Sequence, residues 1–372
     1  MKKLILLAAA VTFAFAANAK VWRINYDENA NADFRTIKAA CSSGKVANTD
    51  TLYCEAGYHA GNADDNTISR PGMKIMGPGW GFEPNYGNTS TIADARFTSD
   101  IKIQANNILV SGIVCNAQIR FEHKVMKGVT LDRCKISSIY GYTTNVDTLS
   151  NFTIKNCQIK VINLDYPYAK ELKNIYLCNN LIVCNNEYGK STALKISCND
   201  WQNISNVNIL RNTIVFSPYS NDSYYIPVCP INSLVQDNII INPNYPTRVM
   251  DFSTNRGNII RKNVFSLAGG DIDNAEIISN FPDNYYVEAT EAGTFTCTNS
   301  TYGFEQYFQL KDNSPAKNAA YDGGDCGAFG GSTPYIICGR PQGIPYITDV
   351  EVPAQPKDNK LTVTFKVANQ NE

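Results

Sequence analysis

Tyrosines concentrate in five segments of the sequence, which span residues 139–145, 164–170, 185–203, 217–230 and 242–255. Nine of the 21 tyrosines lie there: Tyr140, Tyr142, Tyr166, Tyr168, Tyr188, Tyr219, Tyr224, Tyr225 and Tyr245. A tyrosine ring stacks on the apolar face of a sugar, and its hydroxyl group meets the sugar's polar edge. The pattern predicts a carbohydrate-binding surface whose contact residues are Tyr142, Tyr166, Tyr168, Tyr188, Tyr224 and Tyr245. The alternative is that several rings cover hydrophobic residues of their own segments.

Residues for several other kinds of chemistry are missing or badly spaced. The 12 cysteines include no C-x-x-C pair, and His59 and His123 are the two histidines, so the sequence opposes a zinc site. Hydrolysis of a glycosidic bond needs two carboxyl groups within about 5–9.5 Å of each other, and the acidic residues here are scattered. A serine nucleophile needs a histidine base, and His123 lies in the stretch 121–124, which indicates an exposed loop.

A repeat that positions these segments runs through the middle of the chain. Nine-residue windows begin at residues 107, 128, 151, 174, 206, 232 and 257, and their fourth and ninth positions are apolar in every copy. Repeats of 20–50 residues are typical of solenoids. The alternation within each window has period two and is rich in β-branched residues, which indicates strands. The sequence therefore predicts a parallel β-helix with coils stacked at about the 4.8 Å strand spacing.

The seventh window position forms a column of polar or small residues. It holds Ile113, Cys134, Cys157, Asn180, Asn212, Asn238 and Asn263. Asparagines between two apolar columns are expected to point inward and to hydrogen-bond to the next coil, because buried amides need partners. The alternative is that they mark surface turns. Cysteines stacked in this column suit buried thiols better than a disulfide, whereas Cys41 with Cys54, and Cys326 with Cys338, are candidate disulfide pairs.

Three further segments resemble secreted members of the pectate-lyase-like superfamily. They are residues 50–58 (DTLYCEAGY), residues 73–79 (MKIMGPG), and residues 314–316 (SPA) with 325–331 (DCGAFGG). The resemblance covers most of the mature chain and implies an all-β, right-handed parallel β-helix, with a short N-terminal capping helix and a C-terminal β-strand tail. These motifs identify an architecture and carry no chemistry.

The ends of a solenoid need caps, because an open end exposes core residues and strand edges. Residues 33–43 predict a short amphipathic helix that covers the N-terminal end. We expect a β-helix over residues 20–331 and a proline-punctuated tail over 332–372, with strands at 344–352 and 361–367. The tail either packs back along the solenoid or serves as an attachment strand.

The resemblance also implies one enzymatic possibility. Polysaccharide lyases of this superfamily abstract a proton next to a uronate carboxylate with a Lys or Arg base, often with calcium. The candidate bases are Lys190 and Lys195 in the third segment and Arg248 in the fifth, and the candidate calcium ligands are Asp165, Asp200, Asp222 and Asp251. The alternative for each is a solvated loop charge. No cofactor is expected unless the protein is such a lyase, and the signatures of related hydrolases and esterases are missing.

The N-terminus predicts export. Lys2 and Lys3 precede an apolar stretch at 4–16 and a small-x-small site at 17–19, which is typical of a secretory signal peptide cleaved after Ala19. That stretch is too short to span a membrane. With 33 basic and 34 acidic residues the chain lacks the positive charge of a nucleic-acid binder. We therefore expect a secreted, periplasmic or cell-surface monomer.

Three functions are compatible with these features. The first is a non-catalytic protein that binds polysaccharide or a cell-surface glycan along a tyrosine-rich lateral groove. The second is a polysaccharide lyase or another glycan-processing enzyme. The third is a structural adhesin, because repeat proteins present extended surfaces. The lack of familiar catalytic signatures favours the first.

Overall fold

The computed structural model describes residues 19–59, 61–80, 94–141, 146–185, 192–217, 228–242, 249–251, 257–266, 279–287, 306–339, 346–351 and 364–368. The described residues include the α-helix α1 (Ile37–Ser42). Short 3-10 helices span Trp201–Asn203, Gln306–Phe308 and Ile337–Gly339. The first strands are β1 (Val21–Ile24), β2 (Thr51–Cys54), β3 (Gly57–His59), β4 (Thr67–Ile68), β5 (Lys74–Met76), β6 (Ala95–Phe97), β7 (Ile101–Ile103), β8 (Leu109–Ser111), β9 (Val114–Phe121), β10 (Val125–Lys127), β11 (Thr130–Asp132), β12 (Lys135–Tyr140), β13 (Thr148–Lys155) and β14 (Gln158–Asp165). The later strands are β15 (Glu171–Cys178), β16 (Leu181–Asn185), β17 (Leu194–Ser197), β18 (Ile204–Leu210), β19 (Thr213–Ser217), β20 (Val228–Cys229), β21 (Ser233–Gln236), β22 (Ile239–Ile241), β23 (Ile259–Arg261), β24 (Val264–Ser266), β25 (Tyr285–Val287), β26 (Tyr346–Glu351) and β27 (Thr364–Ala368).

Two long parallel sheets form the body of the molecule. The first sheet runs β1-β2-β5-β8-β11-β13-β15-β18-β21-β23, with β10 also paired to β13. The second runs β25-β24-β22-β19-β16-β14-β12-β9-β6-β3, and it also takes in β4, β7, β17 and β20. The chain visits one sheet and then the other, and each new strand lies beside the strand one turn earlier. This connection pattern confirms the predicted parallel β-helix.

The repeat windows stack in register. Leu131 pairs with Val110 on one side and Ile154 on the other, and the fourth-position column continues through Leu177, Ile209, Val235 and Ile260. The ninth-position residues pair in the same way in the second sheet, from Cys115 to Phe265. All of them are buried. Burying these side chains along a shared bore is the main stabilising term.

Two columns of left-handed residues bend each coil. The first window position has positive φ in every copy: Asn107, Gly128, Asn151, Asn174, Asn206, Asn232 and Gly257. The sixth position does the same: Gly112, Arg133, Asn156, Asn179, Arg211, Asp237 and Lys262. Glycine and asparagine adopt this conformation at the least steric cost. Their recurrence therefore turns the chain into and out of each strand of the first sheet.

The seventh-position asparagines form a continuous buried ladder. Each backbone N–H donates to the side-chain Oδ1 one coil later, from Asn180 to Asn212 at 3.0 Å and onward through Asn238, Asn263 and Asn284 at 2.8–3.0 Å. Each Nδ2 donates to a strand carbonyl of an earlier coil, for example from Asn212 to Leu177 at 2.9 Å. Asn180, Asn212, Asn238 and Asn263 are fully buried, which confirms the inward prediction. Asn284 extends the ladder beyond the windows recognised in the sequence.

The ladder continues upstream with cysteines. The N–H of Cys157 donates to Asn180 Oδ1 at 3.0 Å, and the N–H of Cys134 donates to Cys157 Sγ at 3.4 Å. Both are buried free thiols, as predicted, and burial raises the pKa of Cys157. The candidate disulfides are wrong, because Cys41, Cys54 and Cys326 are also free thiols in the structure.

The predicted cap helix is α1. Thr36 Oγ1 accepts from Ala39 N at 3.0 Å at its start, and Ile37, Ala40 and Cys41 are its buried residues. Arg70 donates to the Cys41 and Ser43 carbonyls at 2.9 Å, which satisfies the carbonyls at the helix end. The buried face of α1 therefore continues the apolar core at the N-terminal end, where a cap is required.

Asp50 connects the cap region to the first coil, and it makes the stability of this end depend on pH. Its carboxylate accepts from Trp22 Nε1 at 2.7 Å, Ala47 N at 2.8 Å and Lys20 N at 2.8 Å. Burial alone would raise the pKa of Asp50, but these hydrogen bonds outweigh it and hold the pKa below its ordinary value. The stabilisation is therefore present above the unfolded pKa of about 3.9 and is lost as pH falls through the lower, folded value.

We expect Trp22 to become exposed at a higher urea concentration at pH 6 than at pH 3. Asp50→Asn should remove part of that difference, because an amide does not titrate in this range. Urea titrations of both proteins at the two pH values, followed by tryptophan fluorescence, measure it. An equal pH-dependent loss in both proteins would contradict the role assigned to Asp50.

Residues 306–339, here called the cover segment, pack against the outside of the second sheet. In the later coils the outward residues of that sheet are apolar: Leu181, Val183, Val215, Ile239, Ile241 and Val264. The cover segment buries them with Phe308, Ala316, Ala319, Ala320, Cys326, Ala328 and Tyr335. The motif at 314–331 therefore covers a side of the solenoid, and the cover continues past the expected boundary at residue 331.

The tail strands are present close to their predicted positions. β26 and β27 pair antiparallel as a two-stranded sheet. In the part of the chain that the structure describes, no helix has the length and apolar character needed to cross a membrane.

Candidate functional site

The insertions interrupt the second sheet. Its neighbouring strands β12, β14, β16, β19 and β22 are each followed by one of the five tyrosine-containing segments. These segments therefore begin at successive coils of one sheet. Two of them are not simple loops, because 185–203 contains β17 and 217–230 contains β20, and these strands extend the sheet across the second half of β14.

A row of polar side chains, here called the lateral strip, follows this second half of the sheet. It consists of Lys102, Arg120, Tyr140, Asn163 and Lys195, which pair in register on consecutive coils. Their chain neighbours Ile101, Ile103, Ile119, Phe121, Ile139, Ile162, Leu164, Leu194 and Ile196 are fully buried. Since side chains alternate along a strand, the strip faces outward.

Ion pairs hold two charged residues of the lateral strip, Arg120 and Lys195. Arg120 Nη2 lies 2.8 Å from Asp100 Oδ2. Lys195 Nζ lies 2.7 Å from Asp165 Oδ2, and Ser197 Oγ donates to Asp165 Oδ1 at 2.7 Å. These contacts hold cationic donors and a hydroxyl group at set positions along the strip, and such groups can hydrogen-bond to a polyhydroxylated ligand.

An unsatisfied amide lies in the middle of the strip. Asn163 Oδ1 is buried and has no hydrogen-bond partner among the described residues. A buried acceptor without a donor costs about 1–3 kcal/mol. A hydroxyl group of a ligand, or a water, would recover that free energy at this position.

The structure describes two of the predicted tyrosines, and they differ in exposure. Tyr168 has 68% of its surface exposed, whereas Tyr166 has 1% exposed. The ring of Tyr166 packs over Gly141, where a Cβ atom would lie 2.4 Å from Tyr166 Cζ. Burial raises the pKa of Tyr166. The expectation that Tyr166 contacts a ligand with its ring is corrected, because no ring face is open. Tyr142, Tyr188, Tyr224 and Tyr245 lie outside the described residues.

An exposed tryptophan beside Tyr168 was missed in the sequence. Trp201 begins the 3-10 helix between β17 and β18 and has 47% of its surface exposed. Its segment lies against that of Tyr168, because Asn199 N donates to Pro167 O at 3.1 Å and Asn203 Nδ2 donates to Ala169 O at 3.2 Å. Its sequence signal is a tryptophan inside a polar insertion.

The candidate catalytic and calcium-binding residues are only partly described. Lys190, Arg248 and Asp222 lie outside the described residues. Asp200 caps the 3-10 helix, because its side chain accepts from Gln202 N at 3.1 Å. Asp251 is joined to the preceding coil through its backbone N–H, which donates to Val228 O at 2.8 Å. Among the described ranges no group of three or more His, Cys, Asp or Glu residues is placed to hold a metal ion.

No protein-family model matches the chain, and no curated protein matches it significantly.

Proposed function

We propose that this protein binds a polysaccharide or a cell-surface glycan along the lateral strip and the insertions beside it, without changing the ligand chemically. The observation that carries the proposal is the pair of exposed aromatic side chains, Tyr168 and Trp201, on adjoining segments of neighbouring coils. Membership of the pectate-lyase-like superfamily is part of the proposal, and the stacked coils and the motifs quoted above support it.

Exposed aromatic rings beside polar groups suit a sugar chain. Large rings left in water lose the free energy that their burial would provide, so neighbouring exposed rings indicate a contact surface. Sugar rings present apolar faces to aromatic side chains and hydroxyl groups to charged and amide side chains. The lateral strip supplies the second kind of contact, because Lys195 lies one coil from β14, which carries Asp165 and the unsatisfied Asn163.

Replacing either aromatic residue should weaken glycan binding. We expect Tyr168→Ala and Trp201→Ala each to lower the affinity about tenfold, which corresponds to about 1.4 kcal/mol, because each removes one stacking contact. Affinity electrophoresis against a panel of soluble polysaccharides, followed by calorimetry on the best ligand, measures it. Tyr58→Ala is the matched control, since Tyr58 is 54% exposed on β3, before the first insertion. Equal losses for Tyr58 and Trp201 would contradict the proposed surface.

A direct assay separates binding from lyase activity. Incubation with uronate polysaccharides and calcium should give no ultraviolet-absorbing unsaturated product. If product forms, the function is β-elimination, and Lys190→Ala and Arg248→Ala then test the two candidate bases.

Export is the proposed route to such a ligand, and the position of Lys20 supports it. Cleavage after Ala19 would turn Lys20 N into a charged α-amino group, and that atom lies 2.8 Å from Asp50 Oδ1. The new charge would then face a carboxylate, which makes the pair a charge-assisted hydrogen bond.

A further inference from the structure

A cavity of about 400 Å³ opens on the outer face of the second sheet, away from the lateral strip. Its volume lies within the usual range of small-molecule sites. The lining residues come from β9, β12, β14 and β16 and the residues between them: Cys115, Asn116, Lys135, Ile136, Ser137, Gln158, Ile159, Lys160 and Val183. Val183 also belongs to the apolar cluster under the cover segment. The cavity therefore lies where the covered part of this face ends and its polar part begins.

The lining is cationic. Among the described residues that line the cavity there are two lysines, Lys135 and Lys160, and no aspartate or glutamate. Lys135 is exposed and forms no ion pair with the part of the chain that the structure describes. Lys135 pairs in register with Gln158, and Lys160 follows Gln158 by two residues. From the strand spacing and rise, the two lysine Cα atoms lie about 8 Å apart, so both long side chains can reach one anionic group.

The wall of the cavity also contains an unsatisfied hydrogen-bond acceptor, which belongs to Gln158. Gln158 Oε1 is buried and has no hydrogen-bond partner among the described residues. An amide oxygen requires a donor, which a hydroxyl group supplies and a carboxylate or sulfate does not. Asn116 and Ser137 add further hydrogen-bonding groups to the lining. The wall thus combines cations for an anion with an acceptor for a neighbouring hydroxyl group.

We propose that this cavity is a second binding site, which takes an anionic sugar unit bearing a carboxylate or a sulfate group. The lysines hold the anionic group, and Gln158 accepts a hydrogen bond from an adjacent hydroxyl group of the same sugar. Val183, which points outward from β16, supplies apolar surface beside the ring. The site is independent of the aromatic surface at Tyr168 and Trp201.

Calorimetry at low salt tests the site on the full mature chain with four probes: a hexuronate disaccharide, a sulfated disaccharide, a neutral disaccharide and inorganic sulfate. We expect one of the two acidic disaccharides to bind at least tenfold more tightly than the neutral one, and the better of them identifies the anionic group. Its affinity should fall as the salt concentration rises, because the contacts are near the surface.

Variants locate the binding. Lys135→Gln should lower the affinity for the acidic disaccharide at least fivefold, whereas Lys127→Gln, which changes an exposed lysine of β10 in the first sheet, should leave it unchanged. Gln158→Leu should lower the affinity for the acidic disaccharide and not that for inorganic sulfate. Thermal unfolding of each variant checks that the fold is kept.

Three results would overturn the site. They are equal affinity for the neutral and acidic disaccharides, equal affinity of Lys135→Gln and the unchanged protein, or inorganic sulfate binding as tightly as the sulfated disaccharide. Tyr168→Ala and Trp201→Ala should leave binding of the acidic disaccharide intact. Loss of this binding in those variants alone would place the ligand on the lateral surface and overturn the cavity site, while the proposed glycan-binding function would stand.

Discussion

Asn212→Ala should cost about 4 kcal/mol of unfolding free energy. Asn212 is fully buried, and its Oδ1 accepts from Asn180 N at 3.0 Å and from Asn180 Nδ2 at 2.9 Å. Its Nδ2 donates to Leu177 O at 2.9 Å. Alanine leaves the Asn180 donors and the Leu177 carbonyl without these partners inside the bore. Each buried polar group left unsatisfied costs about 1–3 kcal/mol, and the loss of these partners together gives the expected cost.

Urea unfolding monitored by circular dichroism measures this loss. Asn174→Gly is the matched control, because Asn174 belongs to a solvent-facing row of asparagines. Asn174 Nδ2 donates to Asn151 Oδ1 at 2.8 Å, and Asn206 Nδ2 donates to Asn174 Oδ1 at 2.7 Å. Asn174 has a φ of 54°, which glycine adopts without strain. Water replaces the lost contacts here, so we expect a cost below about 1 kcal/mol. Similar costs for the two variants would show that the buried ladder is not a main support of the fold.

The stacking of the coils could be predicted from the sequence because its signal is repeated and local. Every window places apolar residues equivalent to Leu131 at the same offset from an Asn or Gly that bends the chain, and the last four windows place an asparagine equivalent to Asn212 three residues later. Each copy therefore predicts the same positions to point into the bore and the same positions to point outward. The seven windows together establish a register that one window alone would leave open.

The insertions could not be assigned in this way, because they have no repeated pattern. Tyr166 and Tyr168 are two residues apart in the same short turn, yet one is buried over Gly141 and the other is exposed. That difference depends on a glycine of the preceding coil. The sequence shows the glycine but not the contact.

For the cover segment, the sequence indicates that the later coils are covered but not which residues cover them. Leu181, Ile182, Val183 and Cys184 form a continuous apolar run, whereas the corresponding residues of β14 alternate, and such a run indicates burial on both faces. The run therefore predicts that something covers the later coils. Its partner lies far along the chain, as the hydrogen bond from Asn179 Nδ2 to Ala328 O across 149 residues shows. No local pattern connects two segments at that distance.

Arg211 links the cover segment to the solenoid through two carboxylates. Its Nη2 lies 3.3 Å from Asp237 Oδ2 and 2.6 Å from Asp322 Oδ2 of the cover segment. Asp237 is 2% exposed, and its Oδ1 accepts from Tyr321 N at 2.7 Å. Removing the guanidinium group leaves the Asp237 carboxylate buried without its cation, which costs about 3–5 kcal/mol. We therefore expect Arg211→Asn to lower the unfolding free energy by about that amount, and asparagine suits the φ of 51° at this position.

Hydrogen exchange shows whether the loss is local to the cover. Gly327 N donates to Asp237 O at 2.8 Å and Ala328 N donates to Thr213 Oγ1 at 3.0 Å, so these two amides report on the docking. In Arg211→Asn both should exchange much faster, and a dye that binds apolar surface should fluoresce more as Leu181, Val215 and Ile239 become accessible. Asp322→Asn is the control, since its carboxylate is 56% exposed and water replaces the lost contact. Unchanged exchange at Gly327 and Ala328 in Arg211→Asn would mean that apolar packing alone holds the cover segment, because the buried ion pair would then contribute nothing to its docking.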